Sequence, residues 1–132
     1  MGLGLRLVAV LLIWLTAACS ALGPAHPLGE DSMSDKIRLD LSGINEDGLY
    51  GPPNGLRSVS YEFCIPARES LADEVRAIDR TIQVYPTSRG RIGCTVEQYL
   101  CIGNTHQPGF RGVLNRLAQL EYVTRIDPSY AE

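Results

Sequence analysis

The chain has 132 residues, with 12 basic and 15 acidic side chains and a formal net charge of −3. This acidic balance argues against binding to nucleic acid and against electrostatic adhesion to anionic lipid, because both need a positively charged surface. A chain of this length has room for one domain with one modest hydrophobic core.

The chain begins with the layout of a secretory signal peptide. Arg6 precedes an apolar run over 7–15, and the small residues Thr16, Ala17 and Ala18 come directly before Cys19. A permanent transmembrane helix needs about 20 apolar residues, so the run is too short to span a membrane. It fits instead the apolar region of an export signal, which is removed from the mature protein.

A cysteine directly after such small residues resembles the lipobox of bacterial lipoproteins. The resemblance implies that residues 1–18 are removed and that Cys19 is lipidated and becomes the first mature residue. It also implies export and anchoring on the outer side of the cytoplasmic membrane, in the periplasm or at an outer membrane where the cell has one. An ordinary signal peptide cut at another bond is the alternative, and Cys19 is then incidental.

Residues 19–35 are rich in Gly, Pro, Ala and Ser and show no apolar periodicity. This composition predicts a flexible tether, followed by a single folded domain over 36–132. At the start of that domain Ile37, Leu39 and Leu41 alternate with charged residues, which predicts an additional N-terminal strand. A Gly- and Pro-rich loop over 48–55 joins this strand to the rest of the domain.

The first half of the domain shows a strand, a helix and a second strand. Apolar residues at 59, 61, 63 and 65 alternate with Ser60, Glu62 and Cys64, which predicts a strand with one buried face that ends at Pro66. The next apolar residues recur at helical spacing over 71–78, with acidic residues early and arginines late. A short apolar strand follows over 82–85.

After a turn or loop, the second half shows the same order of elements, which is a strand, a helix and a strand. A third strand is predicted over 98–102 and a last strand over 122–126. Between them lies one apolar stripe typical of a helix, with Pro108 in its first turn and Thr105 or Gln107 at its cap. The members of that stripe are Phe110, Val113, Leu114, Leu117 and Leu120.

The order strand, helix, strand, strand, helix, strand predicts an α+β domain. It is the split βαβ, ferredoxin-like βαββαβ arrangement, in which both helices cover one face of an antiparallel-rich sheet. We expect the first and third strands to be central and parallel to each other. The opposite face of the sheet is then predicted to be open.

Three cysteines remain if Cys19 is lipidated, and an oxidising exported location favours one disulfide and one free thiol. Strand alternation places Cys64 and Cys101 on the open face of neighbouring strands, which predicts a Cys64–Cys101 disulfide with Cys94 left over. If residues 91–94 instead extend the preceding hairpin, Cys64–Cys94 is the alternative. The sequence has no Cys-x-x-Cys motif, so a redox-active pair is disfavoured.

A small anion site is one hypothesis for the ends of the first and third strands. Parallel strands would bring Arg68 at one junction close to Thr105 and His106 at the other, and both junctions lead into helix N-termini, which attract anions. In the alternative interpretation, Asn104, Thr105 and Gln107 cap the second helix and turn the chain.

The sequence favours a non-enzymatic binding or accessory protein. It lacks the common nucleophile-elbow, phosphate-loop and zinc-helix motifs, and no cofactor or metal is expected. The predicted open face with Glu62, Tyr85 and Tyr99, or an edge of the sheet, is the expected binding surface. The upstream segment 37–41, a second copy or a protein partner would cover this face, while the lipid anchor binds the membrane. The alternative is a thiol- or metal-dependent protein that uses Cys64, Cys101 and His106.

Overall fold

A computed structural model describes residues 33–130, which form an α+β domain with two helices and six short strands. The predicted signal peptide and Cys19 lie outside the described residues. No helix within 33–130 has the length and apolar character needed to cross a membrane. In chain order the elements are β1 (Leu49–Tyr50), β2 (Arg57–Ser58), β3 (Ser60–Pro66), α1 (Glu69–Ile78), β4 (Gln83–Tyr85), β5 (Gln98–Asn104), α2 (Phe110–Gln119) and β6 (Asp127–Ser129).

The main sheet has four strands in the order β4-β5-β3-β6, and every neighbouring pair is antiparallel. The predicted first and third strands are β3 and β5, and they are indeed central. The prediction that they run parallel is wrong, because Ser60 lies opposite Asn104 and Pro66 opposite Gln98. The connection over 86–97 reverses the chain after β4, and β5 then lies between β4 and β3 and runs antiparallel to both.

Both helices pack on one face of this sheet, as predicted. Alternate residues of β3, namely Tyr61, Phe63 and Ile65, are fully buried against them. The helices contribute buried residues at helical spacing: Ala72 and Val75 from α1, and Phe110, Val113, Leu114, Leu117 and Ala118 from α2. Each fully buried apolar side chain of this size contributes about 1.5–3 kcal/mol, so this layer supplies the main stabilisation of the fold.

The second face of the sheet is covered by the connection over 86–97, which corrects the prediction of an open face. Glu62 is 3% exposed and Leu100 is 2% exposed. The Ile92 N–H donates to Glu62 Oε1 at 2.6 Å. A Cβ at Gly90 would lie 2.7 Å from Leu100 Cδ1, and the φ of Gly90 is +60°, so the connection approaches the sheet closely where a glycine allows it.

The N-terminal part of the domain differs from the predicted extra strand. It forms only an isolated parallel bridge between Ile37 and Ile126 among the described residues. The predicted tether also ends earlier than expected, because the Ser34 N–H donates to Asn115 Oδ1 at 3.2 Å and Met33 packs against the core. Residues 49 and 50 of the predicted loop 48–55 form β1, which pairs with β2 in a small hairpin, and residues 51–55 belong to its turn.

The last strand lies later than predicted. Residues 122–126 form a turn and an extended stretch, and β6 begins at Asp127. Val123 and Ile126 are still fully buried, so the apolar residues do enter the core. The Val123 N–H donates to the Leu120 carbonyl at 3.1 Å, which makes a turn where the pattern predicted the start of a strand.

Candidate functional site

A groove beside β6 is the candidate site. The N-terminal segment and the chain leading into β6 are paired at the Ile37–Ile126 bridge, where the Arg38 N–H donates to the Ile126 carbonyl at 2.9 Å. Beyond this bridge a groove of about 810 Å³ lies beside both segments. We call it the terminal groove. It is lined by residues within 38–44, by the β1–β2 hairpin, by the start of β3 and by residues 128–130.

One wall of the terminal groove comes from the hairpin. Tyr50 and Arg57 lie directly opposite each other in the β1–β2 register, and both line the groove. Residues paired in this way have Cβ atoms about 4.5–5.5 Å apart on the same face of the hairpin. Tyr50 is 43% exposed, so its ring is available to a ligand next to the Arg57 guanidinium.

The other wall comes from the two ends of the domain. Arg38 and Tyr130 line this side of the groove, and Tyr130 is 67% exposed. The same two residues also line a smaller adjoining cavity of about 320 Å³. Each wall of the terminal groove therefore presents one arginine and one tyrosine.

Several arginines of the domain have protein partners. Arg76 is bound to Glu69 and Asp73, and Arg111 donates to the Ile44 carbonyl at 2.9 Å. Within 33–130 the guanidinium groups of Arg38 and Arg57 have no hydrogen bond or ion pair with the protein, as is also true of Arg68 and Arg80 outside the groove. Two positive charges without protein partners therefore face one groove in a chain of net charge −3.

Asp40 adds one negative charge to the groove. Its Oδ1 accepts hydrogen bonds from the Ser42 hydroxyl at 2.6 Å and the Ser42 N–H at 3.0 Å. These bonds lower the pKa of the Asp40 carboxyl below its ordinary value, the hydroxyl bond contributing most. The carboxylate is therefore ionised at neutral pH, oriented by Ser42, and able to accept a hydrogen bond from a ligand hydroxyl or amide.

The hairpin wall is held in place by Thr105. The Thr105 hydroxyl donates to the Gly48 carbonyl at 2.6 Å and accepts the Val59 N–H at 2.9 Å. Gly48 has a φ of +77°, and a Cβ there would lie 1.7 Å from the Thr105 carbonyl oxygen. Only glycine allows this approach, so the start of the hairpin is fixed against the end of β5.

The predicted anion site is not assembled. Thr105 and His106 follow β5, whereas Arg68 follows β3 at the opposite end of the antiparallel pair, where the Ala67 N–H donates to the Glu97 carbonyl. Thr105 is fully buried, and His106 Nδ1 lies 3.1 Å from the Asp47 carbonyl oxygen. These residues therefore hold loops together at separate places.

The alternative role of the 104–107 segment is confirmed in part. Asn104 Oδ1 accepts the His106 N–H at 2.8 Å, which is the local turn expected of asparagine. Neither Thr105 nor Gln107 caps α2, because the N-cap residue is Gly109, with a φ of +65° and no side-chain cap.

The predicted Cys64–Cys101 disulfide is wrong, and the bond joins Cys64 to Cys94 with Cα atoms 5.6 Å apart. In the antiparallel register Cys64 lies opposite Leu100, whereas Cys101 lies opposite Phe63. The side chains of Cys64 and Cys101 therefore point to opposite faces. Cys101 is a free, buried cysteine, and burial raises the pKa of its thiol to about 12.

The residues of the thiol or metal hypothesis are also not brought together. Cys64 is in the disulfide, Cys101 faces the helices, and His106 lies beyond the far end of β5. Tyr99, expected on the open face, lies opposite Ile65 and packs against the core on the helix side. Across residues 33–130, no group of three His, Cys, Asp or Glu side chains is placed to hold a metal ion.

A buried carboxylate outside the groove was not singled out from the sequence. Asp79 is fully buried and accepts hydrogen bonds from the Tyr61 hydroxyl, from Gln107 Nε2 at 2.9 Å and from Thr81. Burial, together with the negative charge of Asp79, raises the pKa of the Tyr61 hydroxyl. This network joins α1, β3 and the β5–α2 loop, and its Asp79 and Tyr61 side chains are enclosed by the fold.

Sequence reasoning also missed the terminal groove. Tyr50 and Arg57 flank a Pro-Pro-Asn-Gly turn, which is a signal for a hairpin and hence for their pairing. Arg38 and Tyr130 give no such signal, since they lie at opposite ends of the domain sequence. Comparisons of this chain with protein-family models, with curated proteins and with solved structures find no match.

Proposed function

We propose that this chain is an exported, lipid-anchored binding or accessory protein, without enzymatic activity, whose terminal groove binds an anionic ligand. The observation on which the proposal rests is the pair of guanidinium groups, Arg38 and Arg57, that face one groove without protein partners. In an acidic chain such a pair attracts a negatively charged ligand. Because the connection over 86–97 covers the second face of the sheet, the surface available to a ligand is the groove at the sheet edge.

The anchor and the compartment have separate support. The Cys64–Cys94 disulfide indicates an oxidising location, which agrees with export. The lipobox-like sequence before Cys19 supports attachment of the domain to a membrane through a lipid.

The fold is proposed to be ferredoxin-like. The order of the two helices and of β3, β4, β5 and β6 along the chain, with the sheet order β4-β5-β3-β6, supports this assignment. This arrangement hosts many unrelated functions, so the function is argued from the groove.

The chemistry of the groove favours holding a ligand over transforming it. Arginine stays protonated in proteins and cannot act as a base at neutral pH. The lowered pKa of Asp40 makes its carboxylate a weak base, and Ser42 already occupies it. These groups supply charge and hydrogen bonds to a ligand. They are unsuited to general acid–base catalysis, because that needs a group whose pKa lies near the working pH.

Isothermal titration of the detergent-extracted full chain with citrate and with inorganic phosphate tests the groove. We expect saturable binding that Arg38→Gln and Arg57→Gln each weaken and that the double variant loses. Arg80→Gln removes an equal charge at an exposed position outside the groove and is the matched control. Equal loss in Arg80→Gln, or no saturable binding by the native chain, contradicts the groove proposal.

Intact mass of the membrane-extracted protein tests the anchor. We expect a mature chain that begins at Cys19 and has the added mass of two or three acyl chains, and no such mass for Cys19→Ala. An unmodified mass for the native chain refutes lipidation without affecting the groove.

A further inference from the structure

The walls of the terminal groove share a pattern that points to one class of ligand. We infer, on the basis of the proposed function, that this ligand is an acidic oligosaccharide, with sugar rings against Tyr50 and Tyr130 and carboxylates on Arg57 and Arg38. The register pairs Tyr50 with Arg57 on the hairpin wall. Arg38 and Tyr130 form the opposite wall.

The tyrosines provide flat surfaces for sugar rings. Tyr50 is 43% exposed and Tyr130 is 67% exposed, so both rings are available at the groove. A tyrosine offers an apolar ring face together with a polar hydroxyl. A pyranose ring has the matching combination, with C–H groups on its faces and hydroxyls around its rim.

The charges select an acidic sugar over a bare anion. A guanidinium binds a carboxylate through two parallel hydrogen bonds, and the groove has one guanidinium on each wall. Asp40 lines the same groove and accepts hydrogen bonds from sugar hydroxyls, a contact that a fully ionised anion without donors cannot make. A ligand that alternates carboxylates and hydroxyls satisfies both signs of charge.

The dimensions and the edge strand agree with a short saccharide chain. A volume of about 810 Å³ lies within the usual range for ligand sites, about 300–1,000 Å³. An acidic peptide at a sheet edge would normally add as a strand through backbone hydrogen bonds. Pro128 lies in the middle of the three-residue β6 and has no N–H, so this edge is poorly suited to such pairing.

The experiment compares four defined probes on the detergent-extracted full chain by isothermal titration. The probes are tetragalacturonate, a neutral maltotetraose, hexaglutamate and inorganic phosphate. We expect tetragalacturonate to bind roughly tenfold more tightly than any of the other three, since it alone has both stacking faces and carboxylates.

Tyrosine variants test the stacking directly. Tyr50→Ala and Tyr130→Ala should each weaken tetragalacturonate binding several-fold, while Tyr50→Phe and Tyr130→Phe retain the ring and most of the affinity. Tyr85→Ala is the matched control, because Tyr85 is an exposed tyrosine, 39% accessible, on β4 outside the groove. Unchanged thermal unfolding of each variant shows that the fold is intact.

The outcomes separate the two proposals. Hexaglutamate or phosphate binding as tightly as tetragalacturonate, or binding indifferent to Tyr50→Ala and Tyr130→Ala, overturns the saccharide inference and leaves an anion-binding groove. Absence of saturable binding for every anionic probe overturns the proposed function itself.

Discussion

Loss of the Cys64–Cys94 disulfide should destabilise the domain strongly. The bond closes a loop with a sequence separation of 30. In the chain-entropy model, a loop of this length gives about 3.6 kcal/mol at 25 °C. We therefore expect Cys64→Ser/Cys94→Ser to lower the free energy of unfolding by about that amount, and Tm by roughly 15 to 30 °C for a domain of this size.

Urea unfolding followed by circular dichroism, with and without a reductant, checks both the magnitude and the pairing. Reductant should destabilise the native chain and Cys101→Ala by the same amount, each relative to its own oxidised form. It should leave Cys64→Ser/Cys94→Ser unchanged. If the reductant effect disappears in Cys101→Ala, Cys101 is part of the disulfide, and the antiparallel register of β3 and β5 is refuted.

Three further predictions concern buried groups. Thr105→Val should lower the free energy of unfolding in urea by about 1–3 kcal/mol, because the partly buried Val59 N–H loses its acceptor, whereas Thr105→Ser keeps the oxygen. Equal stability of Thr105→Val and the native chain would exclude this role. Gly48→Ala should cost more than about 1 kcal/mol, since its φ is positive and the added Cβ meets the Thr105 carbonyl. Gly43→Ala is its control, having no atom within 4 Å of the added Cβ. The Cys101 thiol, with a pKa of about 12 against an ordinary 9.0, should resist alkylation at pH 8 until the chain unfolds. Rapid alkylation of the native fold would contradict the burial of this thiol. The raised pKa also contributes stability to the fold that is present below pH 9.0 and is lost as the pH rises towards 12, because the unfolded chain releases the proton first.

Local sequence patterns were sufficient to predict the two helices and the strand β3 that packs against them. The stripes of α1 and α2 repeat at helical spacing, and the alternation around Tyr61 and Phe63 has the period of a strand. Both signals arise within one element, where the geometry of the backbone fixes which side chains share a face. The α+β class followed from their order.

Two different errors account for the two wrong predictions about sites. Residues 99–102 are all apolar, so alternation in β5 does not decide which face carries Cys101, and the face opposite to the observed one was expected. The anion site failed because the direction of β5 depends on the connection over 86–97, which has turns and no periodic pattern. The antiparallel register places Arg68 and His106 at opposite ends of the pair, whereas parallel strands would have brought them together.

The terminal groove could be predicted only in part for the same reason. The hairpin wall follows from a turn-rich sequence, but Arg38 and Tyr130 line one groove because both ends of the domain reach the β6 edge. Residues brought together in this way from distant positions leave no spacing signal in one sequence.

The connection that covers the sheet also braces the edge on which the groove lies. Ile92 donates its N–H to Glu62, and its carbonyl accepts a hydrogen bond from Arg125 Nη2 at 2.7 Å. Arg125 in turn pairs with Asp127 at 3.1 Å, at the start of β6. The disulfide at Cys94 holds this connection in place two residues later along the chain. The same segment that removes the predicted open face therefore braces the start of β6, the strand beside the terminal groove.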